Sequence, residues 1–180
     1  FVDGYRLRLS GRTMAALNPH FFVKGFGAYG TDSHKWYYGT ELTWSFNKKE
    51  NSPFEFPVRS LTLYDTYDLM SPSDKYLLNN KDNIFESFRT QSVRQMYYYS
   101  SHKLEFNYET EWGLSYKASV NIENDRPTGD LHFIPVAGIP DAQGNIPEVT
   151  RIHTSELSAT IGYCPNQSYI NTKQRRYPTN

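Results

Sequence analysis

Hydrophobic and polar residues alternate with a period of two in several parts of the chain. In the clearest part, 113–123, the apolar side chains occupy every second position, and they are Leu114, Tyr116, Ala118, Val120 and Ile122. Successive side chains of a β-strand point to opposite faces of its sheet. The pattern therefore predicts a strand with one apolar and one polar face.

The preceding segment, 103–109, alternates in the same way, and only residues 110–112 separate it from the first. Two alternating runs joined by so few residues predict a β-hairpin. If Glu109 faces Gly113, Glu105 lies opposite Lys117, and Phe106 lies opposite Tyr116. This register would place an ion pair on the polar face and an aromatic pair on the apolar face.

Five further segments show the period of a strand, and they are 5–12, 21–30, 37–46, 59–69 and 156–163. The pattern is less clean in 21–30, which is rich in glycine, and in 59–69, where Asp65 interrupts the apolar side. No long segment has the period of an amphipathic helix. We therefore expect an all-β fold of about seven strands, arranged as an antiparallel up-and-down meander within one domain, 1–180.

The connections between these strands differ in length. Residues 17–19, 31–35 and 110–112 form tight turns and 47–56 a moderate one, whereas long loops are expected near 70–96 and 124–150. Alternate connections of a meander lie at the same end, so both long loops share one end with the turn at 31–35. Outer-membrane barrels sort their connections in this way, with short periplasmic turns and long extracellular loops.

Aromatic residues make up 16% of the sequence and crowd the ends of the predicted strands. Such positions are typical of the aromatic girdles at the two surfaces of a membrane barrel. The residues that we expect at these interfaces are Trp36, Trp44, Tyr97 and Trp112.

The alternation also assigns side chains to the two sides of such a barrel. The residues expected to face lipid are Leu104, Phe106, Tyr108, Leu114, Tyr116, Ala118, Val120 and Ile122. The residues expected to face the lumen carry both signs of charge, and they are Arg6, Arg8, Arg12, Glu41, Lys103, Glu105, Lys117 and Glu123.

Composition excludes several other classes of protein. The 180 residues are 38% hydrophobic, with a mean hydropathy of −0.69, and no run approaches the ~18 apolar residues of a membrane helix. Nineteen basic and nineteen acidic residues give a net charge of zero, which argues against a nucleic-acid binder. The single cysteine, Cys164, cannot form an intrachain disulfide.

Candidate catalytic and metal-binding residues are few. The five histidines do not show the spacing of a metal motif. His153 and Ser155 are two residues apart and would share one strand face, where a hydrolase dyad could lie, but such a dyad also needs an orienting partner. We therefore expect no catalytic residue, no metal and no cofactor.

Several segments together resemble a known family, and they are Tyr5–Thr13, Gly25–Gly30, Asp68–Lys75, Met96–Tyr99 and Tyr169–Thr172. They resemble an uncharacterised family of Bacteroidetes outer-membrane proteins, in which a carboxypeptidase-regulatory-like domain precedes a C-terminal barrel. The resemblance covers most of the chain. It implies a barrel of unassigned function, of which these residues would be an internal fragment.

The expected function is that of an outer-membrane barrel segment in a Gram-negative bacterium, with a structural, transport or assembly role. Its expected partners are membrane lipid, the remainder of the same barrel, and other outer-membrane proteins or lipoproteins. Two alternatives remain open. One is a secreted β-sandwich that binds carbohydrate through exposed aromatic residues, and the other is an outer-membrane lipid hydrolase.

Overall fold

The fold is a single antiparallel sheet accompanied by a small separate hairpin. The computed structural model describes residues 4–72, 94–136, 144, 146–165, 168–172 and 176–179. These residues contain no helix, and hence none that could cross a membrane.

The seven strands of the sheet are long. They are β1 Arg6–Arg12, β2 Phe21–Gly30, β3 Trp36–Ser45, β4 Arg59–Met70, β5 Gln95–Glu109, β6 Leu114–Gly129 and β7 Ile152–Tyr163. The longest, β5 and β6, contain 15 and 16 residues, against about five or six in an average strand.

The strands follow one another across the sheet in the order β1 to β7, and each pairs antiparallel with the next. The all-β meander predicted from the alternation is therefore confirmed. Within the described residues β1 and β7 do not pair, so the sheet is open. We call the two ends of the sheet the long-loop end, where β4 joins β5 and β6 joins β7, and the short-turn end.

Two parts of the chain differ from the expectation. Strand β6 runs to Gly129, so the loop expected from 124 begins only at Asp130. A separate pair, β8 Tyr169–Asn171 and β9 Arg176–Pro178, was not predicted. Of the two expected long loops, residues 73–93, 137–143 and 145 lie outside the described residues.

The hairpin between β5 and β6 forms, but its predicted register is wrong by two residues. Glu109 pairs with Ser115 instead of Gly113, and Glu105 therefore lies opposite Ser119. The closing pair of the turn is Thr110 with Leu114, one position later on each strand than predicted, because the Thr110 amide donates to the Leu114 carbonyl at 2.8 Å. A shift of two residues leaves every side chain on its predicted face.

The same hairpin ends on a glycine that its geometry requires. Gly113 has φ +92°, and a Cβ there would lie 2.5 Å from the carbonyl oxygen of Cys164. This φ lies in the region that side chains with a Cβ disfavour. Gly113 thus fixes the turn and, with it, the register of the two longest strands.

Candidate functional site: the two faces of the sheet

One face of the sheet exposes hydrophobic side chains, and we call it the apolar face. On β5 and β6 it carries Leu104, Phe106, Val120 and Ile122, which are 36–47% exposed. On β7, Leu157 is 81% exposed. All eight residues predicted to face lipid lie on this face, since they occupy alternate positions of the paired strands β5 and β6.

The opposite face, the polar face, holds buried polar side chains. Glu105, Glu123 and Asp125 are buried, as are Thr62 and Ser119. Among the described residues, twelve polar but only six hydrophobic ones are buried. This distribution is the reverse of that in a soluble domain, where Glu and Asp are almost never fully buried and large apolar side chains fill the core.

Glu105 is the centre of a charge network on the polar face. Its carboxylate lies 2.7 Å from Lys103 Nζ and 3.2 Å from Lys117 Nζ, and the Asn107 amide donates to it at 3.0 Å. Three predicted lumen-facing residues thus meet at one point. The ion pair expected between Glu105 and Lys117 exists, although it runs diagonally instead of directly across the strands.

The polar network continues towards β7. The hydroxyl of Ser101 donates to Asn121 Oδ1 at 2.8 Å, and Asn121 Nδ2 donates to Glu123 at 3.0 Å. Ser119 and Ser158 lie 2.7 Å apart through their hydroxyls. Because burying a polar group is costly unless it is hydrogen-bonded, these contacts allow the face to be both polar and crowded.

The predicted basic residues of β1 lie on the same polar face. Arg6 Nη2 lies 2.6 Å from the buried Asp68, and the Arg8 guanidinium lies 3.9 Å from the centre of the Phe26 ring. Arg8 lines a cavity of about 470 Å³ on this face. The other predicted lumen-facing residues that line this cavity are Arg12 and Glu41.

Aromatic side chains of the apolar face gather near both ends of the strands. Near the long-loop end, Trp36 packs against Tyr29 with ring centres 5.0 Å apart. At the short-turn end, Trp44 packs against Phe21 at 6.4 Å. In addition, Trp112 packs there against Tyr163 at 6.3 Å. Three of the four predicted interfacial aromatics are therefore exposed at strand ends.

Tyr97, the fourth, has a different position. It lies on the polar face, in register with Met70 and Pro127, and is only 4% exposed. Tyr97 is therefore not exposed on the apolar face, unlike the three tryptophans. The run Tyr97–Tyr98–Tyr99 alternates across the sheet, so only Tyr98 can lie on the apolar face.

The apolar band lies at different heights on different strands. On β3 the exposed tryptophans Trp36 and Trp44 bracket it, so its midpoint is Thr40. On β6 it occupies 114–122, so its midpoint is Ala118. In both strands the band spans eight residue steps, which is about 27 Å at about 3.4 Å per residue.

The pairings between strands show how this band crosses the sheet. From Thr40 the register leads across β4 and β5 to Ile122, four residues from Ala118. The band therefore moves about 14 Å along the strands while it crosses three strand spacings, which are also about 14 Å. The apolar band is therefore inclined by about 45° to a line that crosses the strands at right angles.

One pair of polar residues interrupts the apolar face. Asp65 of β4 pairs with His102 of β5, with His102 Nδ1 at 3.0 Å from Asp65 Oδ1. The sequence indicated that Asp65 breaks the alternation, but the role of His102 was missed. The signal was available, because pairing Leu63 with Leu104 places His102 opposite Asp65.

The connection between β3 and β4 is folded around a buried lysine at the short-turn end. Lys49 is 2% exposed, and its Nζ donates to the carbonyl oxygens of Glu55 at 2.5 Å and Pro57 at 2.8 Å. Burial lowers the pKa of Lys49 to about 8, although Glu55 and Glu109 partly offset this effect.

Glu55 closes the same connection with its carboxylate. The backbone amides of Glu50, Asn51 and Ser52 donate to it at 2.9, 2.7 and 3.1 Å. Burial alone would raise the pKa of Glu55, but these donors outweigh it and hold the pKa below its ordinary value. The connection is thus an ordered cap on this end of the sheet.

The candidate dyad residues His153 and Ser155 lie on the apolar face, opposite Asn124 and Ile122. No hydrogen bond joins them to each other or to an orienting partner among the described residues. Nowhere among the described residues does a group of three or more His, Cys, Asp or Glu side chains lie close enough together to hold a metal ion. Cys164 is exposed.

Comparisons with models of protein families, with curated proteins and with solved structures find no match to this chain.

Proposed function

We propose that the chain is a segment of an antiparallel β-barrel in the outer membrane of a Gram-negative bacterium. Its apolar face contacts lipid, its polar face lines the lumen, and it carries no catalysis of its own. The observation that carries this proposal is the reversed burial of the sheet, in which Leu157 is 81% exposed while Glu105 is 7% exposed.

The reversed burial has a direct physical cause in a membrane. In water, a face that exposes Val120 and Ile122 would favour aggregation, whereas hydrocarbon solvates such side chains. A lumen, in turn, accepts charged residues such as Lys103 and Lys117. Both faces then lie in the solvent that suits them.

The oblique apolar band supports the same proposal. Strands of membrane barrels tilt by about 35–45° from the membrane normal, so a band in the membrane plane must cross them obliquely, as the one here does. A run of about 27 Å along a strand tilted by 45° covers about 20 Å of height, close to the ~25 Å apolar band of such barrels. Trp36 and Trp44 then lie at the two surfaces.

The open edges of the sheet fit a segment of a larger barrel. Strands β1 and β7 each leave one edge without a partner among the described residues, and long free edges promote aggregation. Further strands of the same barrel would satisfy both edges. The resemblance to Bacteroidetes outer-membrane proteins agrees with this proposal, and lipoproteins or other outer-membrane proteins would be additional partners.

Two adjacent arginine substitutions on β7 test the proposal. Ala159 lies on the apolar face and Thr160 on the polar face, and both are exposed. A lipid-facing arginine near the membrane centre costs about 2–4 kcal/mol, whereas lumen positions tolerate polar changes. In vesicles, Ala159→Arg should therefore reduce the fraction with heat-modifiable gel mobility far more than Thr160→Arg. Equal tolerance of the two variants would overturn the proposal.

A second candidate, a secreted carbohydrate-binding module, rests on the exposure of Trp36 and Trp112, which are 70% and 63% exposed. Flat, exposed aromatic rings suit sugar stacking. A protein that is monomeric without detergent, and whose glycan binding is lost in Trp36→Ala or Trp112→Ala, would support this candidate over the barrel.

A further inference from the structure

Basic side chains cluster on the apolar face just beyond the apolar band, at the long-loop end. On β6 the last apolar residue of the band, Ile122, is followed on the same face by Asn124 and Arg126. On the neighbouring strand His153 pairs with Asn124, and Arg151 precedes it. Between Ile122 and Arg126, this face of the strand thus changes from aliphatic to cationic.

These residues surround a cavity of about 510 Å³. Its basic lining comprises Lys35, Arg126 and Arg151, together with the imidazole of His153, and it contains no acidic side chain. The Lys35 Nζ lies 3.6 Å from the centre of the Tyr98 ring, which also lines the cavity. The cavity therefore combines concentrated positive charge with an aromatic wall.

The charges of this cavity are not neutralised by the described residues. On the polar face, Arg6 pairs with Asp68, and Lys103 and Lys117 pair with Glu105. Arg126 and Arg151, in contrast, are exposed and form no ion pair with a described residue.

A buried acceptor also lacks a partner at this cavity. The side-chain oxygen of Asn124 is buried and accepts no hydrogen bond, and Asn124 is part of the lining. The positions of the oxygen and nitrogen of an asparagine amide are assigned from the surrounding hydrogen bonds, so the two can be exchanged. After such an exchange, this position holds a hydrogen-bond donor instead of an acceptor.

We propose that this cavity binds the phosphate of an anionic lipid headgroup in the leaflet at the long-loop end. The inference rests on the proposed function, because it needs the apolar face to lie in lipid. The guanidinium groups of Arg126 and Arg151 match phosphate oxygens in a bidentate geometry. Tyr67 and Tyr98 supply the amphipathic rings that favour the headgroup level.

The test uses native mass spectrometry of the protein in a non-ionic detergent, titrated with dioleoyl phosphatidic acid or dioleoyl phosphatidylcholine. The variant Arg126→Gln/Arg151→Gln removes two charges from the cavity. Each basic residue near an anionic surface contributes about 1 kcal/mol. Affinity for phosphatidic acid should therefore fall about thirtyfold, with little change for phosphatidylcholine.

The matched control removes the same number of charges elsewhere. Arg12→Gln/Lys48→Gln acts at the short-turn end of β1 and in the connection after β3, and should leave lipid binding unchanged. Equal loss in the control, or no preference of the unaltered protein for phosphatidic acid, would overturn the inference. If the protein bound inorganic phosphate as tightly as phosphatidic acid, the conclusion that the ligand is a lipid would be overturned.

A separate readout distinguishes failure of this inference from failure of the proposed function. A lipid-confined photolabel should react with Val120 and its neighbours on the apolar face. Labelling there without headgroup preference would reject the headgroup site and leave the barrel intact. Absence of labelling would reject both.

Discussion

The imidazole of His102 lies 3.0 Å from the carboxylate of Asp65, directly across β4 and β5 on the apolar face. Their neighbours towards the short-turn end are Leu63 and Leu104, which pair with each other. Neither side chain of the polar pair is enclosed by protein, since Asp65 is 41% exposed and His102 is 54% exposed. In the proposed barrel the two groups face lipid and lie in contact with each other.

This pair gives the first prediction. His102→Leu removes the imidazole that lies against the Asp65 carboxylate on the lipid-facing side, and should lower the free energy of unfolding in vesicles by about 3 kcal/mol. Asp65→Leu/His102→Leu removes both polar groups and should recover to within about 1 kcal/mol of the original protein. Urea titration of the vesicle-inserted protein measures both.

If the pair of Asp65 and His102 were exposed to water instead, the same two variants would have different free energies of unfolding. Surface ion pairs contribute about 0–1 kcal/mol, so His102→Leu would then have little effect, and the double variant would show no recovery. That result would contradict the lipid-facing position of β4 and β5.

Gly39 gives a second prediction, because it accommodates an aromatic ring on the polar face. A Cβ at Gly39 would lie 2.3 Å from a ring carbon of Phe26, which Arg8 covers from another side. Gly39→Ala should therefore destabilise the protein by about 1–3 kcal/mol. Gly27→Ala is the control, since a Cβ at Gly27 meets no atom within 4 Å. Equal denaturation midpoints of the two variants would show that Phe26 moves freely.

The third prediction concerns pH and the connection between β3 and β4. The pKa of Glu55 is lowered in the folded protein, so its stabilising effect is present above the ordinary pKa of a glutamate and is lost as the pH falls through the lowered value. The protection factors of the Asn51 and Ser52 amides against hydrogen exchange should then fall. Glu55→Gln should exchange rapidly even at neutral pH, whereas Glu50→Gln should not. Unchanged exchange in Glu55→Gln would exclude this role of the carboxylate.

Alternation along the chain was sufficient to predict the seven strands of the main sheet and their faces, although not their exact ends or the separate pair β8 and β9. The period of two in 113–123 fixes which side chains share a face, and pairing can shift only by even steps without mixing the faces. For this reason Ala118 and Lys117 lie on the expected sides even though the register of their hairpin was wrong.

Features that depend on contacts across strands could not be derived in the same way. The register depends on the hydrogen bonds of Thr110 with Leu114 at the turn, which alternation does not encode. Tyr97 was assigned from its nearness to a strand end, although its parity places it on the polar face. The cavity near Arg126 brings together residues of five separate segments, and only the folded sheet makes them neighbours.

The most direct test of the barrel is a spin-label scan along β6 in vesicles, on a Cys164→Ser background. Labels at Tyr116, Ala118, Val120 and Ile122 should collide often with oxygen and rarely with a water-soluble nickel complex, because these positions face lipid. Labels at Ser115, Lys117, Ser119 and Asn121 should show less oxygen collision, giving a period of two along the strand. Frequent nickel collisions at Ala118 and Val120 would contradict the account, because the apolar face would then lie in water.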